Sequence, residues 1–114
     1  MDKKYAAQEA ITHSMMGSLG LKLIEEKEGF IRASMPVNDN TSQPFGVLCG
    51  GASLAFAEII AGYGSYLCCP EGFIPVGSSV SGNHVSSVRK APFWFTRKPR
   101  LYISAARRIY GMLI

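Results

Sequence analysis

Gln43-Pro44-Phe45-Gly46-Val47-Leu48-Cys49-Gly50-Gly51-Ala52-Ser53-Leu54-Ala55-Phe56-Ala57-Glu58 concentrates the groups of this chain that could do chemistry. Two adjacent glycines where an apolar helix begins let a ligand or another backbone come close. The free N–H groups and the positive dipole end at such a start suit a developing oxyanion. The competing reading is that Gly50 and Gly51 only permit tight packing. Glu58 sits among Ala57, Ile59 and Ile60, and these neighbours predict a buried carboxylate. Such a group is either kept for chemistry or held by a structural hydrogen bond to backbone. Eight residues separate Glu58 from Gly50, about 12 Å along a helix axis, so one chain cannot bring both to one reacting carbonyl. A two-fold dimer with antiparallel long helices can, which predicts a homodimer or a dimer of dimers.

The elements that must position these groups follow from the flanking patterns. Lys4 to Leu19 carries apolar residues at helical spacing and ends among Ser14, Gly17, Ser18 and Gly20, which predicts a leading helix. Two near-alternating runs about Glu28–Gly29 predict strands at about 20–26 and 30–37. Asn38 to Phe45 is rich in turn formers and reads as a surface loop. Gly50 to Cys69 is almost wholly apolar and long enough to approach a bilayer thickness, but Glu58 in its middle and its small residues favour a helix buried in protein. Pro70-Glu71-Gly72 breaks the chain, and Ile74 to Val88, with valines spaced among serines, reads as a long strand. From Lys90 onward no clear strand pattern emerges, and Ile103 to Ile114 suggests a short basic helix.

Composition bounds the rest. With 114 residues, 47% of them hydrophobic, the chain reads as one domain over 1–114, neither disordered nor repetitive. Three cysteines, Cys49, Cys68 and Cys69, match neither a disulfide framework nor zinc spacing, so reduced thiols, a cytoplasmic setting and no metal or cofactor are expected. No cleavable signal peptide is expected, because no apolar run follows Lys3 and Lys4. Residues 1–71 hold five bases and eight acids, whereas residues 72–114 hold seven bases and no acid. Arg97, Lys98, Arg100, Arg107 and Arg108, interleaved with Phe93, Trp94, Phe95 and Tyr102, invite a nucleic-acid reading. A basic tail is more often a solvated face or one that attracts the phosphates of a small ligand, so no nucleic-acid partner is expected.

Met35-Pro36-Val37, Gln43-Pro44-Phe45-Gly46, Gly50-Gly51-Ala52-Ser53, Ala57-Glu58 and Asn83-His84-Val85 occur in this order. As a set they make residues about 15–89 resemble the hotdog-fold acyl-CoA thioesterases of the phenylacetate-pathway and menaquinone-pathway, naphthoyl-CoA kind. The resemblance implies an α+β hotdog fold, an antiparallel sheet wrapped around one long central helix, with its C-terminal strands missing or altered here. It also implies hydrolysis of an acyl-CoA bearing an aromatic or bulky acyl group. Glu58 would attack the thioester or activate water, Gln43 would orient thioester or water, and the Gly50 N–H would polarise the carbonyl. Cys49, Gly51, Asn83 and His84 would meet the substrate, His84 being alternatively a structural histidine. A non-catalytic acyl-CoA-binding protein is the competing function.

Two departures stand out. Cys49 occupies the place where the family usually has His; it cannot donate a strong hydrogen bond or carry positive charge, which predicts reduced activity, or else a thiol nucleophile. Residues 90–114 show none of the family's strand pattern. Codons exist for Ala106–Ile114 that, read from the third base, give Ala-Thr-His-Ile-Trp-Asn-Val-Asp, an octet resembling a strand of the family. The stretch beyond about Lys90 is therefore expected to be a frameshifted reading, unable to replace the remaining strands and leaving the chain aggregating or inactive.

Overall fold

The computed structural model describes residues 3–92, 94, 96 and 98–106. The leading helix divides in two, α1 (Lys3–Thr12) and α2 (Met15–Ser18). Ser14 makes the break: its hydroxyl donates to the Ile11 carbonyl at 3.0 Å and accepts from Met16 N at 3.3 Å, capping α2. A Cβ at Gly17 would run into the Thr12 and Ile11 carbonyl oxygens, so only glycine lets the second helix turn back so tightly.

The expected hairpin forms as β1 (Lys22–Lys27) and β2 (Phe30–Pro36), antiparallel, with Lys27 opposite Phe30. Gly29 at the turn has φ of +85°, a left-handed position that favours glycine. Along β2 the alternate residues Ile31, Ala33 and Met35 are fully buried. The long helix α3 (Gly50–Cys68) packs on that face through Ala52, Phe56 and Ile60, four residues apart and therefore on one stripe. Tyr63 ties the helix to the hairpin by donating to the Glu26 carboxylate at 2.8 Å. Burial first, and Glu26 second, push the Tyr63 hydroxyl well above its usual range, so it remains a donor. Phe56 is fully buried at the centre of this contact. Phe56→Ala is therefore expected to cost about 3–5 kcal/mol in urea unfolding, the range for emptying an aromatic site in a core.

The C-terminal part corrects two expectations. Arg100–Ala106 forms a third strand, β3, antiparallel to β2, in the sheet order β1-β2-β3. Leu101 and Ile103 pack against the core while Tyr102 between them is exposed, an alternation hidden by the basic residues around it. Arg100 Nε and Nη2 donate to the buried Ser34 hydroxyl at 3.0 and 2.8 Å, which satisfies a polar group on the sheet's second face. Thus β3 occupies the start of the helix expected over Ile103–Ile114; the rest of that stretch lies outside the described residues.

The strand expected over Ile74–Val88 is absent. Near its end Leu48 N donates to the Val88 carbonyl at 2.8 Å, and Val47 and Arg89 form an isolated bridge. A strand exists only where a neighbour completes its ladder, and the described sheet stops at β3, leaving Val76 and Val85 exposed. Among the described residues no helix is long and apolar enough to cross a membrane.

Candidate active site

The loop between β2 and α3 carries the first candidates and is organised by Thr41, which is buried. Its hydroxyl donates to the Pro36 carbonyl at 2.7 Å and accepts from Asn38 N at 3.0 Å, while its carbonyl accepts from Cys49 N at 2.9 Å. Gln43 then starts a tight turn, with its N–H to the Val47 carbonyl at 2.9 Å and its side-chain oxygen accepting from Phe45 N at 2.5 Å. Gly46, at φ +85°, closes that turn.

At the start of α3, Cys49 is the N-cap residue, but its thiol makes no capping hydrogen bond. A Cβ on Gly50 would stand 3.0 Å from His84 Cε1 and 3.3 Å from Nε2. The two readings of this glycine therefore converge: tight packing is required, and the group that packs there is itself a candidate substrate contact. Gln43, Gly50, Asn83 and His84 line one open cleft of about 610 Å³, closed on its apolar side by Val47, Leu48, Leu101 and Ile103. Ser53, one helical turn beyond Gly50, also lines it. Sequence reading passed over Ser53, although its three-residue spacing from Gly50 was the available signal. Thr41 left no comparable signal, because its role depends on a loop geometry.

Glu58 lies elsewhere, and it is exposed rather than buried. Its apolar neighbours in sequence misled: two residues beyond Phe56 is about 200° around a helix, so Glu58 points away from the stripe that meets the sheet. It lines a separate small cavity of about 30 Å³ with Gly62, Ser65 and, from the following segment, Pro75, Val76, Gly77 and Ser79. Cys49 and Gly51 are not among the residues lining the cleft; Cys49 is half-buried and Gly51 exposed. Four of the seven sequence candidates are thus brought together in one chain, and the carboxylate is not among them.

A third cleft, of about 700 Å³, is lined by Arg89, Lys90, Lys98 and Arg100 with Tyr102. Lys90 pairs with Asp39 at 2.6 Å, and this contact holds the Asp39 carboxyl below its usual range. Val88 and Leu101 line the first cleft while Arg89 and Arg100, their chain neighbours, line this one, so the two adjoin. Phe93, Phe95, Arg97, Arg107 and Arg108 of the basic tail lie outside the described residues. Among the described residues no group of three or more His, Cys, Asp or Glu could hold a metal ion.

No family model matches the chain. It is 42% identical over 78 residues to a putative esterase of Haemophilus influenzae, covering 68% of this chain and 56% of that protein. It is 34% identical over 101 residues to the 1,4-dihydroxy-2-naphthoyl-CoA hydrolase of Escherichia coli, covering 89% of this chain and 74% of that enzyme. The chain thus spans little more than half the length of the first of these relatives and about three quarters of the second. The crystal structure of a Haemophilus influenzae thioesterase superposes with a TM-score of 0.76 at 32% identity, covering 93% of this chain and 68% of that one.

Proposed function

The chain belongs to the hotdog-fold thioesterase family, and from that premise we propose that it hydrolyses acyl-CoA thioesters carrying an aromatic or other bulky acyl group. The observation that carries this reading is the cleft in which the α3 N-terminus, Gln43, Asn83 and His84 converge over an apolar wall. In it the Gly50 N–H polarises the thioester carbonyl, and Gln43 orients the thioester or the water. Oxygen adds to the carbonyl carbon, either from the Glu58 carboxylate or from a water that Glu58 deprotonates. The C–S bond then breaks and CoA leaves as a thiolate; on the water route it takes the proton that Glu58 removed from water, and on the covalent route water hydrolyses the Glu58 acyl anhydride, freeing the acid and supplying the proton. The cations Arg89 and Lys90 in the adjoining cleft suit the phosphates of CoA.

Glu58 cannot reach the cleft of its own chain, so a second protomer supplies it. The exposed position of Glu58 and the segment 74–88, which joins no strand among the described residues, support a homodimer or a dimer of dimers. Sedimentation is expected to give an even-numbered assembly; a folded, active monomer would remove this part of the reading. The setting we assign is cytoplasmic. The same reading takes residues 1–114 as one domain whose stretch beyond about Lys90 is translated out of frame.

The direct experiment is a screen across aromatic, branched and straight acyl-CoAs with thiol release as the signal. Turnover with bulky acyl groups supports the proposal. Tight acyl-CoA binding without thiol release would favour the non-catalytic alternative that Cys49 raises.

A further inference from the structure

The small cavity beside Glu58 holds a group that the reaction above leaves unused. Ser65 lies seven residues beyond Glu58 on α3, two turns along and within about 20° of the same face. That face is turned away from the sheet, yet Ser65 is only 1% exposed, and Pro75, Val76, Gly77 and Ser79 line the cavity beside it. Its hydroxyl is buried and finds no hydrogen-bond partner among the described residues. A buried hydroxyl left unpartnered is costly, and native proteins meet the cost with a protein group or an ordered water.

The cavity has the size and chemistry for water. Its volume is about 30 Å³, and a single water needs roughly 10–15 Å³ measured in the same way. Glu58, Ser65 and Ser79 give it polar walls, and the lining residues carry no ionisable group other than Glu58. Gly62 lies on the same helix face between the two, and a Cβ placed on it would meet nothing within 4 Å. Across the gap, the backbone at Gly77 stands so near that a Cβ there would collide with the Glu58 carboxylate. The carboxylate is therefore confined on one side and open to the Ser65 cavity on the other.

We propose that Ser65 and Glu58 hold one or two ordered waters between them, and that Ser65 acts through this water as a positioning residue for the Glu58 carboxylate. A hydroxyl at Ser65 donates to the water, the water donates to Glu58, and the carboxylate is held in one rotamer. This inference rests on the role given to Glu58 above, and it adds a residue to the machinery two helical turns away from the reacting carbonyl.

The test compares the intact wild-type chain with Ser65→Ala and Gly62→Ala by high-resolution crystallography and by steady-state kinetics. Ordered density bonded to the Ser65 hydroxyl and Glu58 is expected in the wild type and lost in Ser65→Ala. The kcat is expected to fall about tenfold while KM stays within about twofold, as for a misplaced catalytic group rather than a lost binding contact. Gly62→Ala puts a methyl group into the same space without touching Ser65 and is expected to reproduce the kcat loss. If Ser65→Ala should fail to fold, Gly62→Ala still decides. A dry cavity in the wild type, or unchanged kcat in the folded variants, overturns the proposal. A chain that hydrolyses no thioester in either reading frame while the waters are present overturns the hydrolase reading and leaves the water site standing.

Discussion

Glu58→Gln is expected to lower thioester hydrolysis at least about a hundredfold while leaving the fold intact, the loss typical of removing a nucleophile or general base. The size of the effect follows from the chemistry: an amide neither attacks a thioester carbonyl nor takes a proton from water, yet it keeps the shape of the carboxylate. The integrity of the fold follows from the geometry. Glu58 lies on the face of α3 opposite the Phe56–Ile60 stripe and is exposed, and no ion pair to it exists among the described residues. The substitution therefore removes no core contact. Steady-state rates measured alongside a thermal melt by circular dichroism would check both halves. A variant retaining most of its rate would make Glu58 structural and leave His84, which lines the cleft, as the remaining candidate base. An inactive heterodimer of Glu58→Gln with a chain altered at Gln43 would contradict the shared site, because one of its two composite sites should remain complete.

What was legible in the sequence depended on whether the signal was local. The hairpin shows itself through near-alternation about Glu28–Gly29, and α3 through an almost wholly apolar run bounded by Gly50 and Pro70, since both patterns are set by neighbours a few residues apart. The convergence of Gln43, Gly50 and His84 could be anticipated only by resemblance, because 41 residues separate the first from the last and no local rule links them. Three readings failed for physical reasons. The neighbours of Glu58 in sequence predict burial, whereas its helical angle, about 200° from Phe56, turns it away from the sheet. The strand Arg100–Ala106 was masked by its basic surroundings, although Leu101 and Ile103 already alternate with polar or exposed positions. Ile74–Val88 has strand composition, but composition does not supply a partner, and without one its backbone forms no ladder.

Shifting the reading frame near the Lys90 codon is expected to raise soluble yield and specific activity at least about tenfold over the 114-residue chain, because exposed apolar segments with unpaired backbone attract other chains. The chain as written is not without a core, since β3 pairs along the whole of β2 and brings Leu101 and Ile103 against it. Among the described residues the segment after α3 is poorly covered. Phe73, Ile74, Val76 and Val85 are each at least 66% exposed, and β3 ends the described sheet. The cleft of about 610 Å³ is lined by Val85 and Val88 of that segment together with Leu101 and Ile103 of β3. This chain spans 74% of the length of the Escherichia coli hydrolase. The alternative frame offers Ala-Thr-His-Ile-Trp-Asn-Val-Asp in place of the basic stretch Ala106–Ile114. It also fits the five bases and no acid that follow Lys90. Expressing both versions and comparing sedimentable protein and acyl-CoA hydrolysis decides the matter, together with the DNA sequence across the codon. If the 114-residue chain proves as soluble and as active as the shifted one, the tail is a genuine part of the protein, and the cleft is complete with the strands it has.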